Sequence, residues 1–82
     1  MSQIGHTPDE RFLIKLCEIA TQKGDPFQPV ATKHVAQAIG QKETAVKNIV
    51  KLLAQANFIK KVGDTAVRLT PHGQSFVLNE ME

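Results

Sequence analysis

Tryptophan and tyrosine are missing from this 82-residue chain, and phenylalanine occurs only four times. The core must therefore be built mostly from aliphatic side chains. A surface that stacks on single-stranded bases is disfavoured too, because it needs several exposed rings. Cysteine occurs once, as Cys17, which excludes an internal disulfide framework and suits a reducing compartment. Between Leu16 and Ile19, Cys17 reads as a small core residue rather than a redox sensor. No apolar run approaches the roughly 20 residues that cross a bilayer. The opening MSQIGHTPDE lacks a basic stretch followed by an apolar one, so it does not read as a signal peptide. Together these absences predict a soluble cytoplasmic protein with no membrane partner.

Catalytic patterns are missing as well. There is no phosphate-cradling glycine loop and no nucleophile elbow. His6, His34 and His72 are far apart and lack cysteine or carboxylate neighbours at ligand spacing, so neither a metal site nor a cofactor is expected. Asp9 and Glu10 are adjacent carboxylates, but a helix start accounts for both. The chain is not expected to be an enzyme.

What is present begins with uneven charge. The formal net charge is only +2. Between Thr32 and Lys61, however, six lysines (33, 42, 47, 51, 60 and 61) face Glu43 alone, a local excess of +5. The remainder carries four cations against seven carboxylates. Segregation of this kind suggests an acidic partner more strongly than the total does.

The order of elements is legible from caps and periodicity. Thr7-Pro8-Asp9-Glu10 has the form of a capping box with proline at the first helical position. Phe12, Leu13, Leu16, Cys17, Ile19 and Ala20 then recur at helical spacing, and Gly24 ends that helix. Asp25 to Pro29 reads as a loop, with a short extended piece around Phe27 to Val30. A second, short helix has Thr32 as its cap, buries Val35, Ala36, Ala38 and Ile39, and closes at Gly40. A third starts near Lys42 or Glu43, runs to about Ala56 and is capped by Asn57. Two short helices joined by a glycine turn are the helix-turn-helix pattern. Phe58–Val62 and Thr65–Leu69 are strand-like, and Gly63-Asp64 between them predicts a two-residue hairpin turn. Thr70-Pro71 repeats the cap-plus-proline start, and a short last helix follows through Phe76, Val77 and Leu78. The expectation is one domain over 1–82, with 1–6 flexible and 79–82 frayed. Its fold class is mainly α with a small β-hairpin.

At about 100° per residue, the third helix has two faces. Val46, Ile49, Val50, Leu53 and Ala56 cluster on one, the side for a core. Thr44, Lys47, Asn48, Lys51 and Gln55 cluster opposite. A helix of this width fits the DNA major groove. There asparagine reads adenine edges, threonine serves a base or a phosphate, and lysine meets guanine or phosphate. Thr44, Lys47, Asn48 and Lys51 are the base-reading candidates. Lys33, His34, Lys42, Gln55, Lys60, Lys61 and Arg68 are the phosphate-contact candidates, with Lys61 and Arg68 sharing one face of the hairpin. Equally, any surface helix needs a polar outer side, which lysine and asparagine routinely fill. Arginine, the commonest guanine reader, occurs only at 11 and 68, and Asp64 makes the hairpin tip negative.

The run VAQAIGQKETAVKNIVKLLAQANFIKKVGDTAVRLTPHG resembles the winged helix-turn-helix domains of prokaryotic transcription regulators, broadly of the MarR and PadR type. The most specific pieces are the A-x-x-I-G turn, the N-F-I helix exit and R-L-T-P-H-G after the hairpin. The match spans roughly Val30 to Leu78, with the first helix as an N-terminal prop. The resemblance implies a three-helix core, a two- or three-stranded wing sheet and a short C-terminal helix. It also implies a small regulator that binds double-stranded DNA through helix 43–56. A homodimer through the first and last helices, using Ile4, Phe76 and Leu78, would supply a second half-site. The alternative is a protein-interaction module on the same fold that does not bind DNA.

Overall fold

The computed structural model describes residues 7–81; the flexible lead expected for 1–6, Ile4 included, lies outside the described residues, as does Glu82. Thr7 caps the first helix as expected. Its hydroxyl accepts the Glu10 N–H at 3.3 Å, and the Glu10 carboxylate accepts the Thr7 N–H at 3.4 Å. Helix α1, Pro8–Gln22, follows and buries the six apolar residues that its periodicity marks. Gly24, just past its end, takes a φ of +114°.

Pro26 and Pro29 lack the N–H that a sheet needs, and the Asp25 carboxylate takes the Phe27 N–H at 2.9 Å. The extended piece therefore forms only beyond them, as strand β1, Val30–Ala31, rather than from Phe27. Helix α2, Thr32–Ile39, starts directly after it. Its N-cap is Ala31, not Thr32. Thr32 is committed elsewhere: its N–H and its hydroxyl both donate to the Thr65 carbonyl, at 2.9 and 3.2 Å. Val35, Ala36 and Ile39 are buried as expected, but Ala38 is exposed. Gly40 closes α2 in the left-handed conformation, and Arg11 of α1 donates to the Ile39 carbonyl at 3.2 Å. That bond satisfies a helix-end acceptor and joins α1 to α2.

Helix α3 spans Glu43–Gln55. Strands β2, Ile59–Val62, and β3, Ala66–Leu69, follow, and β3 lies between β1 and β2 in a three-stranded antiparallel sheet. The hairpin differs from expectation by one residue. Val62 pairs with Ala66, so the loop is Gly63-Asp64-Thr65 rather than Gly63-Asp64. The Thr65 carbonyl accepts from Thr32 on the β1 side, and Thr65 stays outside the β2–β3 register. Because side chains alternate along a strand, a one-residue change of register exchanges the faces. Lys60, not Lys61, stands opposite Arg68.

The last helix, α4, runs Pro71–Met81 and so extends beyond Leu78. Its start explains the R-L-T-P-H-G motif. The Thr70 hydroxyl accepts the Gly73 N–H at 3.0 Å and donates toward the Asn57 and Phe58 carbonyls, at 2.6 and 3.0 Å. A Cβ on Gly73 would meet the Phe58 oxygen at 2.1 Å, so only glycine lets α4 approach this closely. Asn57 turns the chain out of α3 with a φ of +65°. The Phe58 ring then stacks on His72, centroids 4.7 Å apart, and leans on Phe76 at 5.1 Å. Below this corner lies a single core with contributions from every element. Phe12, Leu13 and Leu16 of α1 are fully buried among Val30, Val35, Ile49, Leu53, Ile59, Val67, Leu69 and Val77. Each such side chain stabilises by about 1.5–3 kcal/mol before chain entropy is counted.

Candidate nucleic-acid interface

The core fixes the rotation of α3. Val46, Ile49, Val50 and Leu53 point inward with at most 6% of their surface exposed. Ala56, assigned to that side from periodicity, is instead the exposed C-cap residue. The opposite side is a ridge in which Thr44, Lys47, Asn48, Lys51 and Gln55 are all exposed. Among the described residues, none of these five side chains has a hydrogen-bond or ion-pair partner, whereas Lys15 and Glu18 of α1 do pair, at 2.6 Å. The ridge is a set of solvated donors and acceptors that the fold does not use.

Two shallow hollows flank the ridge on its hairpin side. One, about 180 Å³, is lined by Val46, Lys47 and Val50 of α3 and by Lys61, Asp64 and Val67 of the hairpin. Its neighbour adds Lys33 and Ala36 of α2 and Glu43 of α3. Lys33, Lys47 and Lys61 thus converge from three elements that are separate in sequence. Lys42 stands at the N-cap of α3, which has no side-chain cap bond, so the first N–H groups of that helix remain open. Asp64 lies in both hollows and forms no ion pair among the described residues. It is a negative charge set among three positive ones.

Not every candidate joins this surface. Lys60 and Arg68 face each other on the opposite side of the sheet, where they line a different cleft with Phe27 and Pro71. The pairing of Lys61 with Arg68 on one face is therefore overturned, and the cause is the longer hairpin loop. His34 is exposed on α2 but lines neither hollow. One residue escaped the sequence reading altogether. Leu52, 55% exposed, sits on the flank of the ridge away from the hairpin, next to Asn48 in helical projection. Its signal was available: at about 100° per residue it falls outside the buried stripe.

Among the described residues, no helix is long and apolar enough to cross a membrane. No family model matches the chain, and neither a characterised protein nor a solved structure shows significant similarity to it.

Proposed function

We propose that this chain is a winged helix-turn-helix domain that binds double-stranded DNA, with α2 and α3 as the helix pair and the β2–β3 hairpin as the wing. More particularly, it acts as a small transcription regulator of the prokaryotic cytoplasm, as the resemblance of residues 30–78 implies. One observation carries the reading: the exposed ridge of α3, free of intramolecular partners, with lysines of α2 and the hairpin converging beside it.

In this reading α3 lies in the major groove. Asn48 has the paired donor and acceptor that suit an adenine edge, Thr44 serves a base or the flanking phosphate, and Lys47 and Lys51 meet guanine or phosphate. Lys33 and Lys61 hold the backbone on the hairpin side of the ridge, with Lys42 at the start of α3 and Gln55 at the far end. The uncapped start of α3 adds backbone donors of the kind that bind phosphate. Asp64 opposes insertion of the wing into the minor groove, so backbone contact at the wing rests on Lys61. For a second copy α4 offers exposed Leu78, whereas half-buried Phe76, about 200° round the helix, leans on Phe58.

The test is a titration with random-sequence duplex at two salt concentrations. If five lysines displace counterions, the log–log slope is about −4.5, and a fourfold rise in salt weakens binding roughly 500-fold. Lys47→Glu with Lys51→Glu abolishes binding. Duplex affinity that ignores salt, or survives that double change, rejects the interface. Exposed Leu52 favours a second reading, a docking face for a protein partner. Leu52→Gln then eliminates partner binding, whereas its effect on random duplex is small.

A further inference from the structure

The two cations that the hairpin register removes from the α3 side remain unexplained by that reading. Lys60 and Arg68 are direct cross-strand partners, a like-charge pairing that is unfavourable on a sheet. Among the described residues neither finds a carboxylate within ion-pair distance. The pair opens onto a cleft of about 450 Å³ whose other walls are Phe27, Asn57, Leu69, Thr70 and Pro71. That volume lies within the range of small-molecule sites and exceeds what a bare inorganic anion fills.

We infer that this cleft binds a small phosphomonoester, with the phosphate between Lys60 and Arg68 and an apolar body against Phe27 and Pro71. The chemistry is divided between the walls. A dianionic phosphate relieves the repulsion of two adjacent cations, and the planar guanidinium of Arg68 matches its oxygens in pairs. The Phe27 ring and the proline surface offer nothing to a phosphate but suit an apolar or planar substituent. The Thr70 hydroxyl is engaged by backbone groups, so it does not compete for the anion. A DNA backbone is less suited to the cleft, because it has little apolar surface beside its phosphates. The inference stands whether or not α3 binds duplex.

Phenyl phosphate is the probe, titrated into isotope-labelled full-length protein and followed by amide shifts. The expected result is saturable shifts at Phe27, Lys60, Arg68 and Thr70, with inorganic phosphate binding at least tenfold more weakly. Lys60→Gln with Arg68→Gln, both exposed positions, removes saturation, and Lys47→Gln with Lys51→Gln leaves it intact. Equal binding of phenyl phosphate and inorganic phosphate overturns the assignment of the apolar wall. Saturation that survives the Lys60 and Arg68 changes, or the absence of saturation at millimolar probe, overturns the site. If a short duplex displaces the probe from the wild-type cleft, the cation pair belongs to a nucleic-acid surface and the phosphomonoester is rejected.

Discussion

Two threonines separate the regions of this molecule. Thr70, 6% exposed, has its hydroxyl held by the α4 N–H of Gly73 and by the carbonyls that leave α3. Thr44 stands exposed on the α3 ridge, and among the described residues its hydroxyl has no hydrogen-bond partner. The same contrast runs through their neighbours. At the corner of residues 57–73, Asn57 turns the chain, Phe58 stacks on His72, and Gly73 admits a carbonyl at its Cα. Along the ridge, Asn48, Lys47 and Lys51 are solvated. Polar residues of identical type thus hold the fold in one place and are left available in the other. Saturation of their hydrogen bonds, not their chemistry, tells the two apart.

That comparison can be broken from either side. The largest effect is expected for Gly73→Ala, where a methyl must displace the Phe58 carbonyl. Urea unfolding should show a loss of about 3 kcal/mol, and a loss below the noise would mean that α4 can shift at no cost. Thr70→Val comes next. It strips the Gly73 N–H and the Asn57 carbonyl of this partner, while the Phe58 carbonyl keeps the Thr70 N–H, and should lower stability by about 2 kcal/mol. On the ridge, Asn48→Ala should leave stability within about 0.5 kcal/mol of wild type. If Asn48 reads adenine, it should lower discrimination at one base pair by about 1–3 kcal/mol, measured across a panel of duplexes. Lys47→Gln with Lys51→Gln should likewise spare the melting temperature and reduce the salt slope of duplex binding by about 1.8. A ridge change that unfolds the protein would erase the distinction between the regions. The smallest effect belongs to Asp64→Asn, which removes a repulsive charge beside Lys47 and Lys61. A severalfold gain in duplex affinity, greatest at low salt, sharpens the contrast, and a decrease would show that Asp64 is a positive determinant.

The helices were legible because their signals are local. The capping box at Thr7, the glycine at 40 and the stripe Val46-Ile49-Val50-Leu53 each operate within a few residues. The errors share the opposite origin. Thr32 has the chemistry of a cap, yet a loop carbonyl 33 residues away claims its hydroxyl. The same carbonyl belongs to a hairpin loop one residue longer than the dipeptide suggested, and that register reassigns Lys60 and Lys61. Ala38 and Ala56 were misplaced because alanine is too small for its burial to be dictated by patterning. The five ridge residues of α3 were identifiable from helical phase alone. The convergence of Lys33 and Lys61 on that ridge was not, because it depends on how the hairpin packs against α2 and α3.

The length of the hairpin tip consequently acts as a selector. Deleting one of its three residues would leave the number of charges nearly unchanged but would set two alternatives against each other: Lys60 delivered to the helix side at the cost of turning Ile59 out of the core, or a strained tip that keeps Ile59 buried. Two chains with the same lysines and a tip one residue apart would present different electrostatic faces, one suited to a groove and the other not. A change of length at the tip is thus a short route by which this scaffold could redistribute charge between its two faces.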